Sequence, residues 1–166
     1  MASDATAELA IYPGSFDPPT LGHLDLIERG RRIFPRLLVA VLRNAGKQAL
    51  FTSGERVDML REACAAMDRV EIAEFDGLLV DFAQERGAGA LLRGIRAISD
   101  YEYEFQMAWM NRRMAPAVET VFMMPGEAFA YLSSRLVKEV AAGGRSVAGM
   151  VTPAVEARLR HKLHLA

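Results

Sequence analysis

The chain has 166 residues, of which 51% are hydrophobic and 25% charged, with 20 Lys+Arg against 21 Asp+Glu for a net charge of -1. This mixture fits one globular domain and excludes disordered and fibrous classes. The charge balance excludes a general nucleic-acid coat, which needs net basic surface, but leaves room for a local basic pocket.

From the N-terminus, residues 1–8 read as a flexible extension to a single domain spanning 1–166. Met1 to Ala10 lack the basic and apolar regions of a signal peptide, and no apolar run approaches the ~18 residues that span a bilayer. The expectation is a cytoplasmic protein with neither a membrane nor a nucleic-acid partner. Leu9–Tyr12 reads as a strand stopped by Pro13-Gly14, followed by a helix from about Thr20 to Phe34 with Leu21, Leu24, Ile27 and Phe34 on one stripe. Leu37–Leu42 is apolar throughout, as a strand covered on both faces should be. Thr52 and Glu55 form a capping box that opens a second helix, with Val57, Leu60, Cys64 and Met67 on one face. Cys64, the only cysteine, can form no intrachain disulfide and reads as a small buried residue.

Val70–Phe75 is a third strand, Leu78–Arg86 a helix ended by Gly87, and Ala90–Leu92 a short fourth strand. Ser99 and Glu102 suggest a capping box for a helix that reaches Met114. On that helix Met107, Met110 and Met114 read as core, and Tyr101, Phe105 and Trp109 as packing. Thr120–Met124 is a fifth strand stopped by Pro125-Gly126. Ser133 or Ser134 starts a helix that ends at Gly143-Gly144, and Thr152-Pro153 caps and opens the last one. Such alternation predicts an α/β fold with a parallel sheet covered by helices on both faces, and ligand sites in the loops beyond the strands' carboxyl ends.

Several familiar signatures fail. Gly46-Lys47 lacks the upstream glycine of a Walker loop, Gly87-Ala88-Gly89 precedes a strand rather than following one, and there is no His-Glu-x-x-His or Gly-x-Ser-x-Gly. His161 and His164 lack a nearby carboxylate and read as surface residues, and no metal ligands are assigned. The first loop is different: it runs Tyr12-Pro13-Gly14-Ser15-Phe16-Asp17-Pro18-Pro19-Thr20-Leu21-Gly22-His23. Gly22 near a helix start lowers helix stability, while the free N–H groups there suit a phosphate, and His23 could donate to the same group. Arg93 and Arg96 stand in the loop after the fourth strand, two planar forks suited to phosphate oxygens. Lys47, after the second strand, is a third cation at the same sheet edge.

Thr20-Leu21-Gly22-His23 resembles the (T/H)-x-G-H signature of the nucleotidyltransferase superfamily. The longer string, with Arg93–Arg96, Asp100–Glu104 and Leu132–Val140, resembles the bacterial phosphopantetheine adenylyltransferase family from about Ile11 to the last helix. The resemblance implies a Rossmann-like five-stranded sheet of order 3-2-1-4-5 and transfer of the adenylyl group of ATP to 4′-phosphopantetheine, giving 3′-dephospho-CoA and pyrophosphate in coenzyme A biosynthesis. It implies catalytic roles for His23, Lys47 and Arg96. The ATP side would comprise Ser15, Phe16, His23, Gly94, Ile95, Arg96, Glu104 and the stretch Phe129, Ala130, Tyr131, Leu132, Ser133, Ser134 and Arg135. Ser15, Lys47, Leu79 and Arg93 would hold the phosphopantetheine, with Phe75, Leu78, Met107 and Asn111 near its arm. Mg2+ would arrive with ATP, and a homohexamer is implied.

Two departures stand out. Arg135 replaces a serine common in the family, which puts that ATP contact in question, and Ser15 replaces a frequent threonine while keeping the hydroxyl. Two rivals remain at this stage: a nucleotidyltransferase acting on nicotinate mononucleotide or glycerol 3-phosphate, and a nucleotide-binding regulatory domain without activity.

Overall fold

The structure, a computed structural model, describes residues 7–43 and 48–165. Five parallel strands, β1 (Leu9–Gly14), β2 (Arg36–Leu42), β3 (Val70–Phe75), β4 (Ala90–Gly94) and β5 (Glu119–Met123), form one sheet in the order β3-β2-β1-β4-β5. The order is the expected one. Among the described residues six α-helices connect and cover them: α1 (Leu21–Ile33), α2 (Ser53–Ala63), α3 (Leu79–Glu85), α4 (Ile98–Met114), α5 (Ser134–Ala142) and α6 (Pro153–Lys162).

The continuous apolar run of β2 is explained by its position inside the sheet. Alternate residues Leu37, Val39 and Val41 pack with α1 and α2 through Ile27, Val57 and Leu60, while Leu38 and Ala40 face the α3 side through Val80 and Ala83. A third cluster joins Phe51 and Met59 to α5 and α6 through Val137, Val155 and Leu159. Cys64 is buried at the end of α2, and burial pushes its thiol up to about 11, so it is un-ionised at neutral pH. Of the expected N-terminal extension, residues 1–6 lie outside the described residues; the Glu8 carbonyl accepts from the Arg36 N–H at 3.0 Å.

The order reverses between β1 and β4, and there the ladder is short. Only Ala10–Ala90 and Ile11–Leu91 are in register, although β1 continues to Gly14 and β4 to Gly94. The two strands part beyond Ile11 and Leu91, and a crevice opens between them, where ligands of doubly wound sheets bind.

Helix α4 departs from expectation in two ways. Its N-cap is Ala97, which makes no side-chain bond, so the helix opens two residues before the expected cap at Ser99. Its methionines and aromatics are also not core: Tyr101, Phe105, Met107, Trp109, Met110 and Met114 are all exposed. The inward stripe is Glu104, Ala108, Asn111 and then Ala115 just past the helix end, at helical spacing. Two of those four side chains are polar, so the apolar pattern of the sequence points to the wrong side of the helix.

Candidate active site

The loop after β1 is held from below by a buried carboxylate. Asp17 accepts from the main-chain N–H groups of Phe51 (2.9 Å) and Leu50 (3.0 Å) and from the Lys138 ammonium (2.8 Å). Burial alone would raise its pKa, but the Lys138 and main-chain bonds outweigh that and hold it below the ordinary aspartate value. Phe16 beside it is buried in the left-handed region, with φ of 48°, and its ring meets Tyr12 and His23 edge-on at 5.4 and 5.0 Å. A Cβ on Gly14 would lie 2.9 Å from that ring, so glycine is required there by the packing of Phe16.

Thr20 caps α1, and His23 takes the place that glutamate usually fills in a capping box. The Thr20 N–H donates to His23 Nδ1 at 3.0 Å, and the Thr20 hydroxyl lies 3.1 Å from the same nitrogen. A nitrogen that accepts a main-chain N–H carries no proton, so the neutral ring bears its hydrogen on Nε2. Burial, then the nearby Arg96 charge, lowers the His23 pKa to about 4. His23 is thus a neutral donor at the positive end of a helix.

Two cavities open on either side of the β1–β4 crevice. The smaller, of about 180 Å3, is lined by Phe16, Gly22, His23, Gly94, Arg96 and Leu132. The larger, of about 390 Å3, is lined by Ser15, Phe75, Leu79, Tyr103, Met107 and Asn111. Pro13, Gly14, Arg93 and Glu104 line both and form their common wall. Arg93 Nε donates to Glu104 at 2.7 Å, its Nη2 to the other Glu104 oxygen, and its Nη1 to the Pro13 carbonyl at 3.1 Å. Three of the guanidinium's five N–H donors are so engaged, and two stay available to a ligand. Arg96 lies 3.5 Å from Asp100 and donates to the Leu132 carbonyl, which ties the β4 loop to the segment before α5.

The wall sets an arginine, held by Glu104 and with two N–H donors left over, between the two cavities, and a neutral histidine donor faces the smaller one. Residues 11–140 match the cytidylyltransferase-like family model. The chain is 51% identical to the phosphopantetheine adenylyltransferase of Desulfosudis oleivorans over 94% of this chain and 93% of that protein. It is 53% identical to that of Anaeromyxobacter dehalogenans, with 93% and 94% covered. The chain belongs to the phosphopantetheine adenylyltransferase family. Its fold also matches a solved Vibrio parahaemolyticus structure assigned as a nicotinate-nucleotide adenylyltransferase, with a TM-score of 0.66 over 94% of each chain. At 18% identity that likeness concerns the fold alone.

Within this adenylyltransferase framework, the residues expected from sequence divide into groups. His23, Phe16, Gly94, Arg96, Glu104 and Leu132 line the smaller cavity, Ser15 and Leu79 the larger, and Arg93 both. Ser134 donates to the Pro18 carbonyl at 2.8 Å and lines a third, small cavity beside Ser15. Ile95, Phe129, Ala130, Tyr131, Ser133 and Arg135 line neither of the two main cavities. Ser133 caps α5 by accepting from the Leu136 N–H, and Arg135 lies on the exposed side of α5, paired with Glu139 at 2.9 Å. Lys47 lies outside the described residues. His161 and His164 are exposed, as expected.

Asp17, Arg56 and Lys138 were not singled out by sequence. An acid before Pro18-Pro19 is a signal for Asp17, since a loop with two prolines cannot use its own N–H groups to satisfy a carboxylate. The position of Lys138, one helical turn after Ser134, gives no comparable hint.

Proposed function

We propose that the chain transfers the adenylyl group of ATP to 4′-phosphopantetheine, releasing pyrophosphate and forming 3′-dephospho-CoA. The observation that carries this reading is the pair of cavities sharing the Arg93–Glu104 wall, in a chain about half identical to proteins named for this reaction. The acceptor phosphate is already an anionic nucleophile, so no base is required. Its oxygen attacks the α-phosphorus in line, a new P–O bond forms, and the bond to the bridging oxygen of the leaving pyrophosphate breaks.

On this reading the smaller cavity takes the nucleotide. His23, fixed through Nδ1, directs its Nε2–H at charge growing on the α-phosphate, and Arg96 adds a positive charge beside it. The larger cavity takes the acceptor, with Leu79, Phe75 and Met107 against the pantetheine arm and Ser15 at its phosphate end. Arg93 stands between the two anions and offsets their repulsion, which is the main obstacle to bringing them together. Lys47 is assigned to the acceptor phosphate from the resemblance. Mg2+ enters as part of the nucleotide substrate. The carboxylates bordering the smaller cavity, Asp100 and Glu104, are engaged by Arg96 and Arg93, so they fit a positioning role better than a cation cage.

The cytoplasmic location and homohexamer belong to this proposal. No helix among the described residues is long and apolar enough to cross a membrane. The exposed apolar side of α4 supports self-association, and the number six comes from the resemblance. The deciding experiment is mass detection of dephospho-CoA, with pyrophosphate release, from ATP and phosphopantetheine. Nicotinate mononucleotide and glycerol 3-phosphate run in parallel; preference for either would overturn the acceptor, and release with none would overturn the activity.

A further inference from the structure

Arg56 projects from α2 and is 3% exposed, yet among the described residues no carboxylate pairs with it. Its guanidinium spans three main-chain carbonyls instead. Nη1 donates to Ser15 at 2.6 Å and to Leu42 at 3.2 Å, and Nε donates to Thr52 at 3.3 Å. Glu74, an acid that feels its charge, is bonded to Arg43 and Ser53 instead. Burying a cation without a counter-carboxylate is costly, and a neutral donor could bridge carbonyls at lower cost.

The location gives the charge a use. The Leu42 and Ser15 carbonyls lie at and just past the carboxyl ends of β2 and β1, where an oxygen left without a donor would present negative partial charge to an anion bound there. Arg56 covers the carbonyl of Leu42, the last residue of β2, and that of Ser15, the first residue after β1. It replaces that negative face with a buried positive charge, and it fixes Ser15 at the mouth of the larger cavity. It also lines a small cavity with Ser15, Asp17, Ser134 and Lys138, where Asp17 is already bonded to Lys138. We propose that Arg56 is a positioning residue for the acceptor's phosphate, acting through the Ser15 loop and through its own buried charge.

This rests on the reading of the larger cavity as the acceptor side. Its test compares phosphopantetheine with pantetheine, which lacks the phosphate, by calorimetry on wild type, Arg56→Gln and Arg56→Lys. The expected result is at least a tenfold rise in the Kd for phosphopantetheine in R56Q, with less than a twofold change for pantetheine. R56K, which keeps the charge but cannot reach three carbonyls, should show a smaller loss of the same selectivity, about threefold. Equal weakening of both ligands would make Arg56 a structural staple only, and unchanged affinities would remove it from the site; either overturns the proposal. If R56Q fails to fold, R56K decides alone, since wild-type discrimination in it would also overturn the idea. Inorganic phosphate titrated into the same proteins keeps the two readings separate: weaker phosphate binding in R56Q supports the Arg56 role whichever acceptor is correct. Failure of the activity reading would appear instead as a wild-type protein that releases no pyrophosphate.

Discussion

At the scale of single residues, the site depends on side chains whose protonation is set by burial and by neighbouring charges, Arg96 for His23 and Lys138 for Asp17. His23→Ala removes one neutral donor and should lower kcat by about a hundredfold while leaving the Kd for ATP within a few-fold, if the donor acts mainly on the transition state. Stopped-time assays beside ATP titration check this; a large loss of ATP affinity at unchanged kcat would make His23 a ground-state contact. Because the native His23 pKa is about 4, kcat should show no acid limb near 6.5, and a pH-rate profile between 5 and 8 tests that. The same shift bears on stability. Below about 6.5 the unfolded histidine binds a proton that the native one refuses, so stability falls as pH drops from there towards 4. Asp17 has its effect lower: its held-down carboxyl stabilises the fold above the ordinary value of 3.8 and loses that effect as pH falls through the native value. Asp17→Asn leaves the Lys138 ammonium without its carboxylate and should cost about 2–3 kcal/mol, lowering Tm by roughly 4–12 °C in a thermal melt. Of these residues only His23 was legible in sequence, through a motif. Asp17 and Arg56 act on main-chain groups some 34 and 41 positions away, and no local pattern encodes such partners.

At the scale of elements, sequence reading succeeded where local chemistry decides. The Thr52–Glu55 box and the Thr152-Pro153 start form as expected, because caps are satisfied within four residues. The apolar run of β2 marks an inner strand because helices cover it on both faces. Reading failed for α4, where the inward stripe carries Glu104 and Asn111 because it faces a site rather than a core. Helix α1 shows how tightly the site's scaffold is packed. A Cβ on Gly30 would lie 2.8 Å from a Leu92 methyl and 3.2 Å from a Leu37 methyl, both fully buried. Overpacking of this kind costs about 1–3 kcal/mol, and alanine's better helix propensity returns about 1 kcal/mol. Gly30→Ala should therefore be destabilised by about 1 kcal/mol in urea unfolding. A more stable variant would mean that both leucines can move aside, and that α1 is less firmly seated on β4 than the geometry indicates.

At the scale of the whole molecule, the sheet order places β1 beside β4, the parting of those strands opens the crevice, and α4 closes its acceptor side. The same helix connects the site to the outside. Tyr103 and Met107 line the larger cavity, while Tyr101, Phe105 and Trp109 form an aromatic ladder with ring centroids 5.5 and 5.9 Å apart, the last 59% exposed. A helix with this much apolar side chain in water is poorly served by a monomer, and a second copy of the chain is the occupant that the proposed assembly supplies. Phe105→Glu combined with Trp109→Glu puts two like charges on that face without touching the inward stripe. Sedimentation should show the wild type as a multiple of 18.3 kDa and the double variant as smaller species with unchanged far-UV circular dichroism. Since Tyr103 and Met107 ride on α4, loosening the assembly should raise KM for the acceptor several-fold and leave KM for ATP nearly unchanged. Equal mass for both proteins would show that the ladder is not the contact. A smaller species with unaltered acceptor KM would show that α4 holds its cavity wall without help from neighbouring copies.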